Sequence, residues 1–175
     1  DVFQVRVPDR VPVSVVPGVI PLYQDGIDYN IALHDPQRAL SASLKFNARY
    51  SGILDTFSFP FIIPANPLEK LGYRLYSWPG YGLPETSTGI QFVEGEYMMA
   101  DEYDDFILNP SDFWMRTYLP RAFGVLEPFR NVSSLSDMIE FPIQLIHLTN
   151  PDIRTALRTL ADAGEEFEKY KEVNE

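Results

Sequence analysis

Carboxylates are the commonest reactive side chains in this chain, and many crowd into one run holding Glu94, Glu96, Asp101, Glu102, Asp104 and Asp105. Two kinds of chemistry would use them. A calcium loop needs oxygen ligands at alternate positions with a glycine at the sixth, and Glu94-Gly95-Glu96 followed by Asp101-Glu102 does not keep that spacing. An acid–base pair is defined by separation and environment rather than by density in sequence, so the run alone assigns none. A helix start accounts for it instead, because acids in a first turn meet the positive end of the helix dipole. His34 and His147 stand far apart without a visible ligand partner, and 0 cysteines remove both disulfides and thiolate metal sites. Asn131-Val132-Ser133 fits a glycosylation acceptor, a triplet that chance also produces. Phosphate loops, dinucleotide fingerprints, nucleophile elbows and paired-histidine helices have no counterpart here.

The elements that must position these groups are punctuated by proline. Asp35-Pro36, Asn109-Pro110 and Asn150-Pro151 each combine a side chain that can cap free N–H groups with a proline that loses nothing at the first helical position. They predict helices over 36–49, from 110, and over 152–169, with a further helix opening near Asp101. Leu40, Leu44 and Ala48 mark the inner face of the first. Ile153, Ala156, Leu157, Leu160, Ala163 and Phe167 mark that of the last. Between Pro12 and Pro17 the β-branched residues 13–16 predict a short buried strand, and Gly52 to Phe59 predicts a second, stopped by Pro60. Strand, helix, strand in that order favours a parallel βαβ unit. Residues 73–78 and 89–94 read as short strands flanking a glycine- and proline-rich loop, an excursion that could form an antiparallel ribbon. Met138 to Leu148 is apolar nearly all round, which predicts deep burial or an interface.

The chain has 175 residues, 45% of them hydrophobic and 14% aromatic, enough for one domain with a substantial core. A net charge of −11 would repel nucleic acid and anionic membranes at long range. The most apolar run, residues 57–65, is broken by Pro60 and Pro64 and is too short to span a bilayer. No signal segment is seen, so a cytoplasmic location is expected. The start at Asp1 rather than Met suggests processing or excision from something longer.

Four blocks carry a family likeness. Asp9-Arg-Val-Pro-Val13, Trp78-Pro-Gly-Tyr-Gly-Leu-Pro84, Gln91-Phe-Val-Glu-Gly-Glu-Tyr97 and Tyr118-Leu-Pro-Arg-Ala-Phe-Gly-Val-Leu-Glu-Pro128 resemble the N-terminal half of uroporphyrinogen decarboxylase-like proteins, and Ala161-Asp-Ala-Gly-Glu-Glu166 is similar too. The resemblance implies a (β/α)8 TIM barrel for the complete protein, of which this chain would be an α/β portion: the first two strands, an inserted irregular β region and a helical second half. It implies one of two activities. These are cofactor-free decarboxylation of a tetrapyrrole, or zinc-dependent methyl transfer with a corrinoid protein as partner. A non-catalytic interaction module derived from the family is the third possibility. Family decarboxylases carry an arginine-rich Met-Arg-Gln-Ala-Gly-Arg motif after the first strand, whereas Val15 to Pro21 holds no basic residue. The family's Phe-Ser-Asp pattern aligns with Phe57-Ser58-Phe59, leaving Asp55 as the nearest carboxylate.

On that comparison the expected site residues are Asp55, at the end of the second strand where a barrel's active face lies, and Arg10, the basic residue nearest the first strand. Neither a cofactor nor a metal is expected in this chain, and the isolated chain is expected to be inactive because most of a barrel is missing. A two-strand unit would also leave open edges and an apolar face. A homo-oligomer burying Phe57, Phe59, Phe61 and the Met138–Leu148 segment is therefore expected.

Overall fold

The computed structural model describes residues 7–60, 62–133 and 145–174, with side chains described as far as Lys171. Two short helices, α1 (Ile20–Gln24) and α2 (Tyr29–His34), lead into α3 (Pro36–Tyr50), followed by α4 (Ala65–Lys70). A small sheet comes next, formed by β1 (Tyr76–Pro79), β2 (Gly82–Leu83) and β3 (Gln91–Phe92). The second half is helical. A 3₁₀ turn (Ala100–Glu102) leads into α5 (Tyr103–Leu108), α6 (Pro110–Phe113), a π-helical turn (Trp114–Tyr118) and α7 (Leu119–Ala122). Two 3₁₀ segments (Gly124–Asn131 and Leu145–Thr149) precede α8 (Pro151–Asn174). Among the described residues, no helix is long and apolar enough to cross a membrane.

All three capped prolines open helices. Asp35 accepts the Arg38 N–H at 3.1 Å, Asn109 the Asp112 N–H at 3.3 Å, and Asn150 the Asp152 N–H at 2.8 Å. The faces differ from the periodic reading. α3 buries Ala39, Ala42, Ser43 and Phe46 and leaves Leu44 exposed. α8 buries Ile153, Ala156, Ala163 and Tyr170 while Leu157 and Phe167 face outward.

Among the described residues the expected barrel beginning is absent, and the α/β reading is corrected to a mainly helical arrangement with one small mixed sheet. Residues 13–16 and 52–59 form no strands. Prolines at 12 and 17 remove N–H donors from the first stretch, and its one backbone bond to the second runs from the Asp55 N–H to the Val13 carbonyl at 2.9 Å. In the second stretch the backbone of Ser58 is taken by a side chain: Asn47 on α3 accepts its N–H at 2.8 Å and donates to its carbonyl at 2.7 Å. A ladder there would have to displace that pair of bonds. Phe57 and Phe59 therefore point outward, their rings 5.1 Å apart. Phe61 and residues 138–144 lie outside the described residues. Leu145, Ile146 and Leu148, the described end of that apolar segment, are exposed.

The anticipated ribbon does form. β1 pairs antiparallel with β3, Tyr76 opposite Phe92, and parallel with β2, Trp78 opposite Gly82. Trp78-Pro79-Gly80-Tyr81 is a tight turn, with Trp78 and Tyr81 exchanging N–H···O bonds of 2.8 and 2.9 Å. Proline presets φ at the second position, and Gly80, at φ 82°, supplies the left-handed third. Trp78 is fully buried in the main core with Leu22, Ile27, Tyr29, Ala32 and Leu33. α8 closes this core from outside, its Tyr170 hydroxyl donating to the Leu33 carbonyl at 2.7 Å.

Candidate functional site

One polar junction gathers on α4. That helix stops at Gly72, which takes a left-handed φ of 63° while its N–H bonds back to the Glu69 carbonyl at 2.9 Å. Gly72 also lies against Gly124: a Cβ added at 72 would sit 3.4 Å from the Gly124 Cα. Glu69, on the last turn, meets two partners through one oxygen, Oε1, with Trp78 donating its indole N–H at 2.9 Å and His34 Nε2 lying 3.0 Å away. The other imidazole nitrogen, Nδ1, is 2.8 Å from the Asn30 carbonyl. Tyr81 stacks on Trp78 with ring centroids 4.4 Å apart and donates to the Tyr73 carbonyl at 2.8 Å. Burial pushes the phenols of Tyr73 and Tyr81 above their ordinary range, as expected of rings that serve packing and hydrogen bonding.

A histidine beside a glutamate has the composition of a proton-transfer pair, but both imidazole nitrogens are engaged within the chain. A general base needs a nitrogen facing substrate. The junction therefore ties α2, α4 and β1 together.

A second cluster resolves the acidic run. Glu102 Oε2 accepts the Met99 N–H at 2.7 Å and Arg121 Nη1 at 2.7 Å, while Oε1 accepts Arg121 Nη2; Nη1 also reaches the Tyr97 carbonyl at 2.7 Å. The Arg121 guanidinium, and after it the Met99 N–H, holds the Glu102 carboxyl well below its usual 4.5, at about 2. Glu102 in turn raises the pKa of Arg121. Asp101, Asp104 and Asp105 are exposed in the first turns, as the dipole argument expects. Among the described residues, no group of three or more His, Cys, Asp or Glu side chains could hold a metal ion.

The structure brings the two expected site residues together. Arg10 Nη2 lies 2.6 Å from Asp55 Oδ1, and Asp55 Oδ2 accepts the Val13 N–H at 2.8 Å. Their side chains are 47% and 35% exposed, and both carboxylate oxygens are used in joining two irregular segments. Three clefts are lined by other residues: Ile62, Pro64, Gly164 and Phe167 border one, Pro21, Ala42 and Phe46 another, and Asp28, Glu85 and Ser87 the third. Arg10 and Asp55 belong to none of these. His147 Nε2 lies 3.5 Å from Ser133 Oγ, far in sequence from the His34 junction.

Sequence reasoning missed Glu69 and gave Trp78 and Arg121 no role of their own. The glycine- and proline-rich loop after Trp78 was legible, but the indole's partner lies nine residues upstream on a separate helix, and no spacing announces it. No protein-family model matches the chain, and neither a curated protein nor a solved structure matches it.

Proposed function

We propose that this chain is the N-terminal portion of a uroporphyrinogen decarboxylase-like protein and that it supplies scaffold rather than reacting groups. One observation supports the reading: three of the blocks that carry the resemblance pack into a single unit. Trp78–Pro84 supplies the turn beyond β1, Gln91–Tyr97 supplies β3, and Tyr118–Pro128 is joined to both neighbourhoods. Tyr73 pairs with Phe123 in an isolated bridge, the Arg74 N–H donates to the Ala122 carbonyl at 2.9 Å, and Arg121 donates to the Tyr97 carbonyl. Tyr76 and Phe92 meet edge to face at 4.6 Å. A shared scaffold would require these blocks together, whichever chemistry the complete protein performs.

Three carboxylates in and beside this unit are engaged in holding it. Glu69, Glu102 and Glu127 each meet an indole, imidazole or guanidinium. The residues that would clamp a polycarboxylate or activate a methyl donor must then come from elsewhere in the complete protein.

Purified 175-residue chain should convert no uroporphyrinogen to less carboxylated products. The product of the whole reading frame should either decarboxylate uroporphyrinogen or transfer a methyl group with a corrinoid protein. Turnover by the chain alone would overturn the scaffold role. Loss of both activities in the whole product would overturn the family reading and leave the interaction module.

A further inference from the structure

α8 carries a second face that the fold does not use. At about 100° per residue, Arg154, Leu157, Arg158, Ala161, Gly164, Glu165 and Glu168 share one arc of roughly 120°, turned away from the face that buries Ile153, Ala156 and Ala163. All seven are exposed, Leu157 to 41%. Among the described residues, no ion pair or side-chain hydrogen bond reaches Arg154, Arg158, Glu165 or Glu168; the neighbouring Glu166 is the one that Lys70 and Lys169 hold.

The order along this face is basic, small, acidic, and that order is complementary to its own reverse. We infer that this face docks a second copy of the same chain, the two α8 helices crossing antiparallel about a twofold axis at Ala161. In that register Arg154 lies level with Glu168 of the second copy, and Arg158, level with Gly164, is one residue from Glu165 on the same side of the crossing, each pair occurring twice. A parallel crossing would set like charges against each other.

Shape agrees with charge. Leu157 of one copy falls within one residue of the level of Gly164 of the other, where an added Cβ would meet nothing within 4 Å. Beside Gly164 lies a cleft of about 410 Å³ bordered by Ile62, Pro64 and Phe167, which receives the leucine. Glycine and alanine at the crossing let the helix backbones approach closely. The contact runs about 21 Å along each helix. This surface is distinct from Phe57 and Phe59, and the inference does not depend on the family reading.

The test is a charge-swap experiment on the full chain, read by sedimentation equilibrium. The wild type should show a reversible monomer–dimer equilibrium that weakens with added salt. R154E/R158E makes the face wholly acidic and E165R/E168R makes it wholly basic; each should dimerise at least about tenfold more weakly than wild type, and their equimolar mixture should recover a heterodimer. R154Q/R158Q should weaken the dimer without introducing repulsion. All four positions are exposed, so circular dichroism should remain that of the wild type. A wild type that stays monomeric to its solubility limit would overturn the inference. So would a dimer indifferent to charge reversal, which would point to another surface such as Phe57 and Phe59.

Discussion

Glu69 and Asp55 are exposed to nearly the same extent, 32% and 35% of the side chain, and each carboxylate meets two partners. Their surroundings differ. Glu69 faces Trp78, which is fully buried, and His34, which is fixed at its other nitrogen by Asn30. Asp55 faces Arg10, 47% exposed, and the backbone of Val13, itself at the surface. Acceptor burial therefore does not separate the two; donor burial does. Deleting the Glu69 carboxylate leaves the N–H of a buried indole without its acceptor, whereas deleting Asp55 returns an arginine to solvent. In the first region polar bonds lock a core, and in the second they fasten loops.

The strongest way to break this comparison is at Trp78. Trp78→Ala removes a buried side chain stacked between Tyr81 and Tyr73 and should cost about 3 to 5 kcal/mol in denaturant unfolding. Trp78→Phe sharpens it, since an aromatic ring survives while the donor to Glu69 and part of the indole volume are lost; a cost of roughly 1 to 3 kcal/mol is expected. If the alanine variant lost less than about 1 kcal/mol, the junction would be no stronger than a surface pair.

Helices were legible in the sequence because their signals are local. Asp35, Asn109 and Asn150 each cap a helix opened by the next residue, and no distant partner is needed. The loop after Trp78 was legible for the same reason, from its prolines and glycines. Strands depend on a partner, and here local chemistry misled: Val13 to Val16 has strand composition, but its prolines limit pairing, and Asn47 occupies the Ser58 backbone that a second strand would have offered. The same limit hid Glu69, whose partners come from α2 and β1. Arg10 and Asp55 are the site expected of a barrel whose first strands the described residues do not form. They do meet, as a loop fastening.

Glu102 and Arg121 stand between the two regions, each side chain 20% exposed and the pair bidentate. The carboxyl of Glu102 titrates at about 2 in the folded chain, below its ordinary 4.5, so the folded state favours the charged form. The stabilisation is present in full above the unfolded value and is lost as pH falls through the folded one. Glu102→Gln should therefore be less stable than wild type at neutral pH by an amount that is constant down to about pH 5 and closes toward pH 2. Unfolding curves at a series of pH values measure the gap. A gap that persists unchanged at the lowest pH would show that Glu102 contributes through packing, outside any electrostatic ranking of the three clusters.

The smallest effect belongs to Arg10 and Asp55, and it sets the lower end of the comparison. A double-mutant cycle with Arg10→Met and Asp55→Asn isolates their mutual term from the Val13 bond, because asparagine retains an oxygen for that N–H. At the observed exposure, solvent screening and the ordering of a long arginine side chain offset most of the Coulomb gain even at 2.6 Å. The coupling should lie below about 1 kcal/mol and shrink further as salt is raised. A coupling above roughly 2 kcal/mol, insensitive to salt, would mean that the pair is shielded from water in solution. Donor exposure would then no longer separate the two regions, and the Arg10–Asp55 corner would regain its standing as a candidate site.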